Sequence, residues 1–508
     1  MRVPPSREQR WTLRGEAAMI RAVMPPASAA SLARPPLIVA ALLALATLLV
    51  FAPGYAQYDT VAQFGQVLSG AFDDWHPPAM VQLWTWLHPL GRGTAPMFAV
   101  QVALYWTGLG LIAAALPDRW RQAGVLALGT SPLFLGWQVV VLKDAQMIAT
   151  ALAATGLVAA FQLRGRPLPI AAVAIAALLL LYALLLRANA VFALAPMIAA
   201  LAPTGGIVRR AIITVAITAA VLAGSGTINH RLIGSAQSGV EKTQPLFDLA
   251  GIAARSDATS DTGLSPSQVA QLRQRRCVSP FFWDPLGEPS HCADVIAPLN
   301  ALPSRQLYVR LASAVLHHPL AYAEQRLSHW NVTERWLVPA GLPSAAPPTD
   351  DEPNDLGLVP PGRTAAQWQR LAAALAETPL GWPIAWLAAA VLLAVAIAST
   401  PVATLIGSAR HRLALGLLAS AIALEASFMF VSIASDLRYH LWPMLATGVA
   451  AFVAPRPEMG RRGVVIACMV AFAVILPGVA ARALLPAAPA TYQAMLTWDA
   501  GAIALLPD

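Results

Sequence analysis

GYAQYDTVAQFGQVLSGAFDDWHPPAMVQLWTWLHPLG, residues 54–91, follows directly on the first long apolar run of the chain. It carries three aspartates (Asp59, Asp73, Asp74) and two histidines (His76, His88) in a sequence that is only 12% charged. Its second half, 79–90, is apolar but about 12 residues long, and a helix needs roughly 20 to cross hydrocarbon. How that half is read decides the fold, because a span there reverses the side of every later loop.

The composition sets the class. The hydrophobic fraction is 57% and the mean hydropathy +0.59, and runs of roughly 20 apolar residues recur, as in membrane chains. Lipid offers the backbone no hydrogen-bond partners, so runs rich in Ala and Leu must be helices. The expected fold is an all-α polytopic membrane protein of about 11 transmembrane helices. They fall near 35–53, 96–116, 123–142, 145–163, 168–186, 189–204, 211–229, 382–406, 413–433, 440–454 and 463–481.

Charge then sets the orientation. Loops 117–122, 164–167, 205–210, 407–412 and 455–462 hold two or three arginines each, whereas the alternate segments hold one cation each: Arg92, Lys143, Arg187 and Arg438. Cytoplasmic loops are the basic ones. The expected localisation is therefore the cytoplasmic (inner) membrane, with the N-terminus in the cytoplasm and the large loop and C-terminus outside. A span at 79–90 would put the arginine pairs outside. That stretch is read instead as an interfacial helix on the outer face, with Trp84 and Trp86 at headgroup depth. The net charge of +8 lies in short loops, with no basic cluster interleaved with aromatics, so no nucleic-acid partner is expected.

The domain plan follows. Residues 1–34 form a basic cytoplasmic tail, and 35–229 a transmembrane core with spans one to seven and a first outer loop, 54–95. Residues 230–381 form an extracytoplasmic insertion, 382–481 hold spans eight to eleven, and 482–508 form an extracytoplasmic tail. Within the insertion, 305–335 has helical spacing and 339–363 is loop-like. Cys277 and Cys292 share the oxidising side, so a disulfide is expected, worth about 3 kcal/mol for a loop of this size. Cys468, in an apolar run, reads as a small buried packing residue. Asn331-Val332-Thr333 matches a glycosylation sequon, a pattern short enough to arise by chance.

The polar residues of the core gather at the outer ends of the spans. Asp59 and Gln63, four apart, share a helix face. Leu142-Lys143-Asp144-Ala145 is an outer turn without Gly or Pro; Arg187 and Asn189 fill the next, and Ser435-Asp436-Leu437-Arg438-Tyr439-His440 the last. Each charge alone reads as a solvated loop residue; the set argues for a site. Asp59 and Asp144 suit a general base and a second carboxylate, and with His76 they are the candidate ligands for a divalent metal ion, which the sequence does not require. Lys143, Arg187 and Arg438 suit a phosphate, with arginine able to bind it bidentately. Gln63, His76, Asn189, Tyr439 and His440 complete the candidate substrate contacts. Asp73-Asp74-Trp75-His76 has ligand types for a metal and reads equally as a polar turn before Pro77-Pro78. Glu425, an acid well inside a span, is expected to face the bundle interior and pair there. There is no Walker A loop and no HExxH.

Tyr58-Asp59-Thr60-Val61-Ala62-Gln63, then Ser69-Gly70, then Trp75-His76-Pro77-Pro78, then Asp144, resembles the GT-C superfamily of integral-membrane glycosyltransferases. Its protein mannosyltransferase and lipid A aminoarabinose transferase branches use polyprenyl-phosphate sugars. The likeness covers roughly 35–200 and, weakly, 430–445. Two positions depart from the pattern: Asp59 is followed by Thr60 rather than Glu, and His76 replaces a frequent Lys. The resemblance implies inverting transfer at the outer face from a polyprenyl-phosphate-linked donor to a lipid or glycan acceptor, with Asp59 as base. A transporter or flippase, motivated by the eleven spans and by Glu425, and a non-catalytic envelope assembly protein presenting 230–381 are the alternatives.

Overall fold

The computed structural model describes residues 33–202, 206–256, 259–399, 409–455 and 460–499. The expected tail 1–34 lies outside them except for its last two residues. Among the described residues the chain is helical throughout, with only three isolated bridges, Tyr55–Val140, Asp73–Ala236 and Phe282–Ala434.

The first half runs through α1 (Arg34–Phe51), α2 (Tyr58–Ser69), α3 (Pro78–Leu87), α4 (Ala95–Ala115), α5 (Arg119–Gly129), α6 (Pro132–Gln138), α7 (Lys143–Gln162), α8 (Ile170–Leu186), α9 (Ala190–Leu201) and α10 (Ile207–Gly226). The larger helices that follow are α11 (Thr243–Arg255), α12 (Ser304–His317), α13 (Pro319–Thr333), α14 (Arg363–Ala376), α15 (Pro383–Ala398), α16 (Ala409–Val431), α17 (Leu441–Val453) and α18 (Arg461–Leu484). Among the described residues six helices are long and apolar enough to cross a membrane: α1, α4, α7, α10 with its continuation to Leu232, α16 and α18. Three more, α8, α9 and α15, are apolar but shorter. On α10 no residue is buried, and Ile207, Ile212 and Val215 are among its exposed apolar side chains. Such a surface suits hydrocarbon rather than water.

The central pair is α4 against α7, and small residues let the two backbones touch. A Cβ on Gly108 would fall 2.4 Å from the Leu152 carbonyl carbon, and one on Gly156 would fall 2.5 Å from Gly108 O. Packing of this kind drives helix association where lipid removes the hydrophobic incentive.

The expected third span, 123–142, is not one helix. Pro132 cannot extend α5, which ends at Gly129, and α6 then stops at Gln138. After a turn at Val139, residues 140–142 run extended, and 139–142 are wholly buried. A buried extended segment must place its backbone polar groups. Tyr55 N–H donates to Val139 O (3.0 Å) and Val141 N–H to Tyr55 O (2.9 Å). Gln101 Nε2 donates to Val140 O (2.9 Å) and Thr60 Oγ1 to Val141 O (2.8 Å). Gly54 delivers Tyr55 to this pairing at φ +93°, and a Cβ there would meet Phe98 and Val141 at 2.8–2.9 Å.

The helix expected over 79–90 is observed at Pro78–Leu87, with a 3-10 turn to Leu90. Its two tryptophans do not share an environment. Trp84 is fully buried, its ring 5.2 Å from that of Phe64, whereas Trp86 is 69% exposed. Cys468 is exposed on α18 and not a packing residue.

The insertion has two parts. Residues 246–321 enclose a separate apolar core, closed by the disulfide between Cys277 and Cys292. The helical stretch 305–335 is two helices, broken at His318-Pro319. The loop-like 339–363 lies against the bundle: Ala56 N–H donates to Asp351 Oδ1 (2.8 Å), and Trp137 Nε1 to Ala345 O (3.3 Å). Asn331 is fully buried, its amide bonded to the backbone of Leu337, so the sequon is not presented as a surface loop. Tyr492–Leu496 folds back onto Phe281 and Phe282.

At the far ends of these helices the arginines serve as caps. Arg121 NH1 donates to Phe452 O (3.0 Å), and Arg410 donates to Val453 O (2.9 Å) and Ala454 O (3.0 Å), the last carbonyls of α17 and just beyond. Cations are favourable at a helix C-terminus.

Candidate functional site

Both site aspartates sit in the first turn of a helix, Asp59 in α2 and Asp144 in α7. The helix dipole favours negative charge there. Gln57 and Thr60 cap α2, with Gln57 N–H donating to Thr60 Oγ1 (3.0 Å). Since Thr60 also holds Val141 O, the start of α2 is pinned to the segment that leads into Lys143-Asp144. Asp59 and Asp144, far apart in sequence, thereby share one neighbourhood.

Cations from three elements close on them. Lys143 Nζ lies 2.9 Å from Asp59 Oδ2, and Arg438 NH2 3.2 Å from the same oxygen. Arg187 donates to Asp144 Oδ1 and, through Nε, to Asn189 Oδ1 (3.0 Å). Arg438 Nε is 3.8 Å from Asp144 Oδ2, so this guanidinium bridges the two acids. Asp436 Oδ2 holds it from the other side at 3.0–3.1 Å, and Gln57 Oε1 accepts from it at 3.3 Å. The Tyr439 ring lies under Arg187 at 4.1 Å and beside Arg438 at 5.4 Å. Three carboxylates therefore meet three cations. Side chains of the central five keep between 2% and 16% of their surface exposed, a narrow opening.

The charges set the protonation. Burial alone would raise the Asp59 pKa, but Arg438 and Lys143 outweigh it and hold the carboxyl well below the usual carboxylate range. His76 Nδ1 is 3.4 Å from Lys143 Nζ. Burial, with the Lys143 charge next, pushes the imidazole down to about 4, so it is neutral near pH 7.

Of the residues the sequence puts forward, Asp59, Asp144, Lys143, Arg187, Asn189, Arg438, Tyr439 and His76 come together. Two do not. Gln63 is buried and spends its amide on Asp59 O of its own helix at 3.0 Å. His440 turns away, with Nδ1 2.6 Å from Glu425 Oε2 and its ring 4.6 Å from that of Phe428. Pairing to a neighbour inside the bundle is what the sequence expects of Glu425, and it removes the substrate role from His440. Asp73 and Asp74 are structural. Asp73 Oδ1 accepts from Trp75 N–H (3.0 Å), and Asp74 Oδ1 accepts from Ser238 N–H and Oγ (both 2.6 Å), anchoring the start of the insertion.

Asp59, Asp144 and His76 do not make a metal site in this arrangement. Each already faces a cation of the chain, and a divalent ion would have to displace Lys143, Arg187 or Arg438. Sequence reading missed Gln57 as a member of the network. It placed Asp436 in the set of outer charges but gave it no role, and here Asp436 holds Arg438. An open groove of about 430 Å³ runs along the other face of α2, lined by Tyr58, Ala62, Gln66, Asp73 and His76. His76 stands between groove and network.

Comparison with family models, with curated proteins and with solved structures finds no match to this chain.

Proposed function

We propose that this protein is a GT-C-type membrane glycosyltransferase, moving a sugar from a polyprenyl-phosphate donor to an envelope acceptor at the outer face of the cytoplasmic membrane. On this reading the apolar helices make up about eleven spans, with the short ones completing the bundle and α3 lying at the interface. The observation that carries the proposal is the convergence of Asp59 and Asp144 with Lys143, Arg187 and Arg438.

The chemistry follows from that charge balance. In the resting site the cations neutralise the aspartates. A lipid phosphate brings its own negative charge and competes for Lys143 and Arg438, whose guanidinium and ammonium suit phosphate oxygens. As they turn to the phosphate, Asp59 is released from the pairs that keep it weakly basic. The acceptor hydroxyl then attacks the anomeric carbon, its proton passes to Asp59, and the sugar–phosphate bond breaks with the electron pair leaving on phosphate. The transition state is oxocarbenium-like, so cations at the leaving oxygens and a carboxylate at the acceptor are the main electrostatic aids. Asp144, fixed by Arg187, holds the second guanidinium in place.

The alternative of transport rested on Glu425 as an unexplained acid within the membrane. Glu425 bonds to His440 inside the bundle, and no separate observation favours transport. The test is transfer of sugar from a polyprenyl-phosphate donor by the purified chain in detergent. Asp59→Asn is expected to lower the rate by about 10²–10⁴-fold. Full activity in that variant removes Asp59 as base, and no transfer by the wild-type chain with any such donor removes the reading.

A further inference from the structure

A second buried cluster lies behind the first. Glu334, just past the end of α13, Glu425 of α16 and His440 of the turn before α17 place one donor atom each within 4.8 Å of one another. Their exposures are 0%, 1% and 0%. His440 Nδ1 lies 2.6 Å from Glu425 Oε2, and the Glu334 and Glu425 carboxyls lie within hydrogen-bond reach of each other. As ionised groups, both oxygens of Glu334 and Oε1 of Glu425 are buried with no hydrogen bond of good geometry, as is Nε2 of His440.

No cation of the chain answers these acids. Among the described residues no lysine or arginine pairs with Glu334 or Glu425. Arg335, next in sequence, spends its guanidinium on the carbonyls of Leu342 (3.1 Å), Pro343 and Ser435 (3.3 Å). Isolated buried carboxylates are strongly unfavourable unless they are paired, neutralised or bound to metal. When both are ionised, two carboxylates with a neutral imidazole carry a charge of −2, which one divalent cation cancels. An oxygen-oxygen-nitrogen donor set suits first-row ions such as Zn²⁺ or Mn²⁺ rather than Mg²⁺ or Ca²⁺, which favour all-oxygen shells.

We infer that Glu334, Glu425 and His440 form a closed binding site for one divalent transition-metal ion that ties the insertion to the bundle. Each ligand comes from a different element, and none faces solvent, so the site is structural. It also reaches the candidate active site. His440 is two residues from Arg438, and Thr333 Oγ1 meets Ser435 Oγ at 3.1 Å, so the ion fixes the turn that presents Arg438 to the aspartates.

The test is metal content of the full chain, purified in detergent, loaded with Zn²⁺ and freed of excess. About one equivalent per chain is expected, with a higher Tm than the chelator-treated protein, since a ligand bound only by the native state stabilises it. Glu334→Gln and Glu425→Gln are expected to lose both the ion and the Tm difference, while Asp59→Asn keeps both. Should those variants fail to fold, Co²⁺ loaded into the wild-type chain reads the site directly. Visible d–d bands and paramagnetically shifted imidazole resonances, the latter unchanged in Asp59→Asn, support it. A wild-type chain that retains no ion overturns the proposal, as does an ion retained in Glu334→Gln or lost in Asp59→Asn.

Discussion

Two buried acidic clusters stand side by side, sharing the segment Ser435–His440, and they are neutralised differently. Around Asp59 and Asp144 every carboxylate has a cation of the chain within 4 Å. Around Glu334 and Glu425 there is none among the described residues, and a single imidazole bonds to Glu425. A buried charge pair stabilises little against water but is costly to break. The first cluster is therefore balanced by the chain itself. The second is not, which is the ground for the ion proposed there.

The largest effect should come from breaking the bridge. Arg438→Met leaves Asp59, Asp144 and Asp436 under-compensated and is expected to cost about 3–5 kcal/mol of stability, read from unfolding in detergent. Adding Asp59→Asn to that variant should recover part of the loss; no loss at all would mean the aspartates are solvated and the two clusters do not differ.

The next tests separate the clusters by their partners. Glu334→Gln removes an acid that no lysine or arginine among the described residues answers, so in chelator-treated protein it should change stability by less than about 1 kcal/mol or even stabilise. Asp144→Asn, measured the same way, should cost about 2–4 kcal/mol, because it leaves Arg187 buried and unpaired. Equal losses in the two variants would erase the contrast.

The smallest effect concerns pH. His76 titrates at about 4 when folded against 6.5 for the free imidazole. The unfolded chain thus binds the extra proton first, and stability that is complete above pH 6.5 falls as the pH drops towards 4. His76→Asn should flatten part of that fall in Tm. It will not remove all of it, because burial also pushes His329 down, to about 3. An unchanged slope would place His76 in water rather than beside Lys143.

Much of this was legible in the sequence for physical reasons. Apolar runs have no option in lipid but helix, and the six helices long and apolar enough to span fall where the hydropathy put them. Asp59, Lys143, Asp144, Arg187 and Arg438 stood out because charge is rare in this chain and theirs falls at span ends. The cysteine pair was legible because two cysteines share one polar segment, and the structure bonds them.

The rest depended on packing. Nothing local says that residues 139–142 leave the helix, because their backbone is satisfied by Tyr55, Thr60 and Gln101, which are distant in sequence. His440 follows Arg438 and Tyr439 yet faces the other cluster, since a 3-10 turn sends successive side chains to different sides. Nothing in the sequence singles out Glu334, and only the docking of α13 on α16 brings it to Glu425. Sequence by itself determined which residues carry charge and which segments must be helical. The tertiary structure alone decided which charges meet, because burial and pairing belong to the packed chain and not to any stretch of it.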